Sequence, residues 1–213
     1  MSAVLNWCGK EHIDCLYLLA DPHDTESIRL AEKTGFNLTD IRVTLEATDL
    51  KRRFFRTPNQ KVIVRGYLPD DLPVLQQYAR ENHTDSRFFN DPNFSRERAA
   101  EMYAVWIEKC CNEFKDTVFV AQYNGEVVGY LSCRTGLKSS GQIVLAGVRT
   151  QCRNIGIGTR LVRKALHWFD KEGMKTAAVV TQGTNIRALR LYTSWGFYPV
   201  RIALWYHKWF LKG

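Results

Sequence analysis

The most specific chemistry in this chain sits in one short turn. Arg153-Asn154-Ile155-Gly156-Ile157-Gly158 follows an apolar run, Gln142 to Val148, and opens an amphipathic segment from Gly158 to Glu172. Glycine permits positive φ and lets a backbone approach an anion closely. Successive N–H groups at a helix start then point at that anion, and the helix dipole adds to the attraction. Arg153, Arg160 and Arg163 would add positive charge near phosphates. The turn is no Walker A loop, because no Gly-Lys-Ser/Thr closes it. A dinucleotide fingerprint fails too: its third glycine is missing, and the strand follows a hairpin region instead of opening a βαβ unit.

Other reactive residue types are dispersed. The six cysteines are Cys8, Cys15, Cys110, Cys111, Cys133 and Cys152, with no C-x-x-C pair, so neither zinc nor any other metal is expected. The N-terminus has no secretory signal, which points to reduced, mostly buried thiols in a cytoplasmic protein. Asp70, His83 and Asp85 are open candidates for a general base, and the residues alone do not choose among them.

These groups need a scaffold, and hydrophobic periodicity outlines one. Residues 12–20 suit a buried strand, and Thr25 to Thr34 a helix closed by Gly35. Phe36 to Leu45 alternates around Ile41, Val43 and Leu45, as a half-buried strand does. A charged run and the turn Thr57-Pro58-Asn59 mark a boundary, giving units 1–58 and 59–213. The second unit starts with a strand at Lys61 to Arg65. A helix entered at Pro69-Asp70-Asp71 follows, with the apolar stripe Leu72, Leu75, Tyr78 and Ala79. A polar, aromatic loop, Asn82 to Ser95, leads to a helix from Arg96 to Phe114. Two strands then flank Asn124-Gly125, a strong hairpin signal. After the glycine turn and its helix come a strand (Lys175 to Thr181), a helix (Asn185 to Ser194) and a last strand (Phe197 to Trp209). The expected class is mixed α/β.

One stretch echoes another. Ile28-Arg29-Leu30-Ala31-Glu32-Lys33-Thr34-Gly35-Phe36 parallels Leu189-Arg190-Leu191-Tyr192-Thr193-Ser194-Trp195-Gly196-Phe197, at an offset of 196 − 35 = 161 residues. A degenerate half-repeat would produce this.

Residues 148–158 resemble motif A of the GNAT superfamily of N-acetyltransferases, whose Arg/Gln-x-x-Gly-x-Gly/Ala turn holds the coenzyme A pyrophosphate. Asn185-Ile186-Arg187-Ala188 through Tyr192 to Gly196-Phe197 resembles that superfamily's second signature, about thirty residues on. The likeness covers roughly the last 150 residues, in the right element order. It implies a GNAT fold, a central twisted, mostly antiparallel sheet flanked by helices, and acetyl-CoA as co-substrate. Carried over by position, the backbone of Asn154, Gly156, Ile157, Gly158 and Thr159, with Arg153, would hold pyrophosphate. Leu145, Ala146 and Val148 would pair with the pantetheine arm, and one of their amides would polarise the thioester carbonyl. Asn185 would hydrogen-bond the cofactor, and Tyr192 would protonate the departing thiolate. The N-terminal unit, with Ala31 where Tyr192 would be and Asp24 where Asn185 would be, resembles a partial, non-catalytic GNAT-like unit.

Asp85-Ser86-Arg87-Phe88, Tyr103 to Glu108, Gly129 to Arg134 and Thr181-Gln182 are similar to the dTDP-fucosamine acetyltransferases of that superfamily. This implies a dTDP-4-amino-4,6-dideoxyhexose acceptor. Arg87 and Phe88 would grip its pyrophosphate and stack on its base, or else form a helix-entry loop with no ligand. Another acceptor stays open: a protein N-terminus, a lysine or an antibiotic amine, or no catalysis at all beyond acyl-CoA binding.

The formal net charge of +8 suits a polyanionic small molecule such as a nucleotide sugar. No basic tract or recognition motif suggests nucleic acid, and no apolar run approaches the roughly 18 residues of a membrane span. Leu204 to Phe210 is aromatic enough to seal a homodimer interface, or to be an interior strand.

Overall fold

The structure, a computed structural model, describes residues 1–51, 61–113 and 116–210. The basic residues Arg52, Arg53 and Arg56, and the boundary at residues 58–59, lie outside the described residues. The elements are α1 (Ser2–Lys10), β1 (Cys15–Ala20), α2 (Thr25–Lys33), β2 (Asn37–Ala47), β3 (Val62–Gly66), α3 (Leu72–Asn82), α4 (Arg87–Asn90) and α5 (Arg96–Asn112). There follow β4 (Thr117–Tyr123), β5 (Glu126–Thr135), β6 (Ser140–Val148), α6 (Ile157–Lys171), β7 (Thr176–Gln182), α7 (Ile186–Ser194) and β8 (Tyr198–Trp209). Two helices escaped the periodicity argument. The first turns of α1 have no side-chain cap, and the helix is held by packing of Met1 and Leu5 against a small core around Phe36 and Tyr206. The other, α4, is a single turn inside the Asn82 to Ser95 loop.

Among the described residues the strands join one sheet in the order β1-β8-β2-β7-β6-β5-β4-β3, and only β6 and β7 of these run parallel. This is the mixed α/β, mostly antiparallel arrangement that the sequence implied. Strand alternation divides the core between the two faces. In β4, Phe119 and Ala121 pack towards α6, which contributes Leu161, Ala165, Leu166 and Phe169, while Val118 and Val120 pack towards Leu75, Tyr78 and Tyr103 of α3 and α5. The hairpin between β4 and β5 turns on Asn124 and Gly125, both at positive φ (53° and 84°), the backbone pattern of a type I′ turn.

The parallel pair sets the site. β6 and β7 pair only from Ser140–Thr176 to Ile143–Val179. Beyond that, β7 is held by β2, with Arg42 opposite Gln182, while β6 stays with β5 as far as Val148. The two strands therefore part at their C-terminal ends. A register shift at Ser132/Cys133 bends β6 at that point, and the N–H of Leu145 donates to Ser132 Oγ at 3.1 Å.

The N-terminal strands enter the same sheet: β2 lies between β7 and β8, and β1 borders β8 on its far side. The 161-residue offset also governs the pairing. Asn37 faces His207 and Glu46 faces Tyr198; Leu38 faces Tyr206 and Leu45 faces Pro199; Ile41 faces Leu204 and Val43 faces Ile202. In each couple, adding 161 to one strand's residue gives the other pair, and Arg42 opposite Ala203 is the centre. The outer contacts obey the same rule, since Ala20 faces Leu204 as Val43 faces Thr181. β1-α2-β2 and β7-α7-β8 are thus related by a local two-fold with exchanged strands.

Candidate active site

The glycine turn forms a concave run of backbone. Asn154 (φ 66°) and Gly156 (φ 91°) are left-handed on either side of Ile155, and Gly156 caps α6. Alternation of this kind aims successive N–H groups into one hollow. Among the described residues, no backbone carbonyl takes the N–H of Asn154, Gly156, Ile157 or Gly158, and the start of a helix leaves such donors without internal partners. The two glycines serve different ends. Gly156 needs its positive φ, whereas a Cβ at Gly158 would lie 3.0 Å from Leu191 of α7, so Gly158 sets how closely the two helices pack.

The three arginines separate. Arg153 donates from Nη2 to Asn82 Oδ1 at 2.7 Å and from Nε to the Val148 carbonyl at 3.4 Å, which ties the turn to the end of α3. Burial lowers its pKa from the usual arginine range, and the charge of Arg187, on the first turn of α7, lowers it further. A second positive charge therefore acts on Arg153 beside the hollow, which favours a polyanion. By contrast, Arg160 directs Nε and Nη2 at the Val62 carbonyl (3.1 and 2.6 Å) and anchors β3, and Arg163 lies on the exposed side of α6.

Between the parted strands, backbone groups of β6 face the gap. Leu145 directs its N–H to Ser132, and Arg149 directs its own to the Val128 carbonyl, so both point towards β5. Alternate residues of an antiparallel strand point their N–H groups to opposite neighbours. Ala146 and Val148 therefore point theirs at the gap, whereas Leu145 buries its side chain in the α3–α5 core.

Helix α7 closes the other wall. Asn185 caps it, with Oδ1 accepting the Ala188 N–H at 3.0 Å, and the amide NH2 has no partner among the described residues. Tyr192 is 5 % exposed and packs edge-on to Phe197 at 5.5 Å, in the core shared with Ile157 and Leu161. Its hydroxyl makes no hydrogen bond to the described residues. Burial raises its pKa, which keeps the phenol protonated and able to donate.

The opposite mouth of the gap is lined from α3 and α5. His83 Nε2 lies 2.9 Å from the Tyr130 hydroxyl, and its ring stacks on Tyr103 at 4.4 Å. The Tyr130 ring fills the space under Gly147 of β6, where a Cβ would lie 2.7 Å away. Burial lowers the pKa of His83 to about 4, so the imidazole is neutral near pH 7. Asp70 is exposed at the far end of α3, an 11-residue helix about 16 Å long. Asp71, beside it, is occupied by a two-pronged ion pair with Arg65 (2.6 and 2.8 Å). Asp85 is exposed in the loop and acts electrostatically on Arg153.

Arg87 and Phe88 stand in α4 over β1 and β8. The Arg87 guanidinium lies 4.1–4.3 Å from the ring centroids of Tyr17, Phe88 and Trp205, and Nη1 is 3.0 Å from His207 Nε2. His207 Nδ1 meets Asp91 Oδ2 at 2.7 Å, and the Trp209 indole N–H donates to the same oxygen at 2.8 Å. The final aromatic segment is therefore an interior strand whose rings enclose Arg87. Ser132 and Tyr130, which shape the site, were not singled out as site residues, since each is a single polar residue in a strand pattern.

A backbone hollow suited to a diphosphate, a gap that leads from it between parted strands, and a buried phenol with an unengaged hydroxyl belong together in a group-transfer enzyme. The model of the Acetyltransferase (GNAT) family matches residues 77–197, and the chain belongs to that family. Members of that family are acetyltransferases that take acetyl-CoA as co-substrate. The spore coat polysaccharide biosynthesis protein SpsD of Bacillus subtilis is 32 % identical over 143 residues, 66 % of this chain and 48 % of its own. A mycothiol acetyltransferase of Stackebrandtia nassauensis is 24 % identical over 97 % of this chain and 63 % of its own. The chain thus spans about half to two thirds of the length of these relatives. A GCN5-related N-acetyltransferase from Sphaerobacter thermophilus shares the fold with a TM-score of 0.67 at 18 % identity, covering 93 % of this chain and 61 % of its own. Among the described residues, no group of three His, Cys, Asp or Glu side chains is placed to hold a metal ion, and no helix is long and apolar enough to cross a membrane.

Proposed function

We propose that the chain moves the acetyl group of acetyl-CoA to the amine of a sugar carried on a nucleotide, a dTDP-amino-dideoxyhexose. The coenzyme pyrophosphate sits on the N–H groups of Asn154 to Thr159, with Arg153 beside it. The pantetheine arm pairs with Ala146 and Val148 along the gap, and Asn185 donates its amide to it. The N–H of Ala146 faces the thioester carbonyl and steadies the oxyanion as the amine nitrogen attacks. Collapse of that intermediate breaks the C–S bond, and Tyr192 gives its proton to the thiolate.

The observation that carries the reading is the left-handed pair Asn154 and Gly156 at the start of α6, beside the parting of β6 and β7. The sugar acceptor is supported by the likeness to SpsD, a polysaccharide biosynthesis protein, and by a net charge of +8. On this reading Arg87 and Phe88 form the acceptor-side wall, and residues 1–58 are a partial GNAT-like unit built into the catalytic sheet. Thiol release from acetyl-CoA, measured against dTDP-amino sugars with putrescine and peptide controls, tests it. Turnover on the nucleotide sugar alone is expected; turnover on a control alone discards the sugar.

A further inference from the structure

The gap in the sheet opens on the side where α3, α4 and α5 lie, and β2 forms part of its rim. Asp40 of β2 is on that side, two residues from Arg42, which faces Gln182 at the end of β7. The Ile41 carbonyl next to it accepts the Gly183 N–H at 2.6 Å, so β2 is locked where β7 leaves the sheet. Asp40 is only 7 % exposed, and its Oδ1 is buried with no hydrogen-bond partner among the described residues. A buried carboxylate oxygen without a partner is costly to a fold, and such groups call for a functional explanation.

The neighbours of Asp40 come from several elements. Arg87 of α4 acts on it, as does Asp85 in the preceding loop, and Tyr103 of α5 feels both Asp40 and Arg87. The Arg87 guanidinium is turned towards Tyr17, Trp205 and His207 of β1 and β8, and forms no ion pair with Asp40 among the described residues. Tyr103 in turn stacks on His83, which reaches Tyr130 beneath Gly147. Asp40 thus stands beside the end of β7, within electrostatic reach of Arg87, Asp85 and Tyr103.

We propose that Asp40 is the acceptor-amine subsite, its Oδ1 accepting a hydrogen bond from the amine and then its proton. The step balances: the ammonium gives one proton to the carboxylate, the freed nitrogen lone pair forms the bond to the thioester carbon, the C–S pair leaves with sulfur, and the second proton shed by the nitrogen replaces the one that Tyr192 gives to the thiolate. The inference rests on the acetyl-transfer reading above but not on the sugar. It also gives the N-terminal strand a part in the chemistry. Burial pushes the Asp40 carboxyl up to about 6, opposed by the Ile41 and Arg87 backbone N–H groups and by the Arg87 charge. That range leaves it ionised, and able to take a proton, near pH 7.

The test compares the full wild-type chain with Asp40→Asn, using dTDP-4-amino-4,6-dideoxygalactose, glucosamine, putrescine and a short peptide as acceptors. Asp40→Asn is expected to keep acetyl-CoA affinity within about twofold, to melt no lower than wild type at pH 7, and to lose about a hundredfold or more in kcat/KM for whichever amine wild type uses. In the presence of coenzyme A, that amine should raise the Tm of wild type and not of the variant. Transfer to putrescine or peptide instead of the nucleotide sugar, lost in the variant, supports Asp40 and discards the sugar. A lower Tm with unchanged kinetics makes Asp40 a counter-charge for Arg87 and overturns the proposal. So does the absence of any Tm gain in wild type, or an equal gain in both proteins.

Discussion

Asp24 and Asn185, 185 − 24 = 161 residues apart, cap their helices identically: each side-chain oxygen accepts the N–H of the residue three positions on, at 3.0 Å. The likeness extends through both helices to Gly35 and Gly196, left-handed at φ 81° and 84°, and into strands that pair with each other. The two copies differ where chemistry needs them to. Ala31 replaces Tyr192, and a turn with left-handed Asn154 and Gly156 stands ahead of only the second, so one copy builds the sheet and the other faces the gap.

This exchange makes the N-terminal strands structural necessities. A chain beginning at residue 61 lacks β2, which would leave β7 and β8 without their shared neighbour, and lacks the partners of a core that includes Val43 and Leu45. Such a truncation is expected to be insoluble or molten. Dispersed amide NMR signals and cooperative unfolding of the fragment would contradict this.

Tyr192→Phe keeps the ring that packs on Phe197 and removes only the unengaged hydroxyl. Turnover should fall by about one to three orders of magnitude while acetyl-CoA affinity and Tm persist. Steady-state kinetics beside calorimetric binding would show it, and unchanged kcat would remove Tyr192 from the mechanism.

The two glycines of the cradle should fail differently. Gly156→Ala forces a side chain onto a φ of 91° and is expected to weaken acetyl-CoA binding at least tenfold, a loss of about 1.4 kcal/mol or more. Gly158→Val drives α6 against Leu191 and should cost about 1–3 kcal/mol of stability as well. Isothermal calorimetry and urea unfolding separate the effects; full affinity in Gly156→Ala would sink the pyrophosphate assignment.

Acid should loosen the mouth of the site before it protonates most carboxylates. The folded state holds His83 neutral down to about pH 4, whereas an unfolded histidine takes a proton near 6.5. Between those values the unfolded chain binds more protons, so stability rises with pH and is lost as pH falls from about 6.5 to 4. The shift corresponds to about 3 kcal/mol. Urea unfolding at pH 4.5 and 7 should show a smaller pH dependence for His83→Gln than for wild type; equal slopes would contradict the assignment.

Much of the fold was legible because its causes are local. Asn124-Gly125 demanded left-handed residues wherever it occurred, and Gly35, at φ 81°, closes its helix as its place in the sequence implied. Short amphipathic turns without caps, α1 and α4, left no comparable signature.

The sequence by itself pointed to the family, through two short motifs, and to a strand–turn–helix around Gly156 and Gly158, since each motif depends on residues only a few positions apart. Only the tertiary structure decided that β2 would enter between β7 and β8, that Arg160 would serve Val62 and not a phosphate, and that Arg87 would be enclosed by rings from β1 and β8. It alone left Asp40 buried with an oxygen unpartnered. Those outcomes depend on which distant segments become neighbours, and a side chain's chemistry is set by the partners and the water that such neighbours supply or exclude.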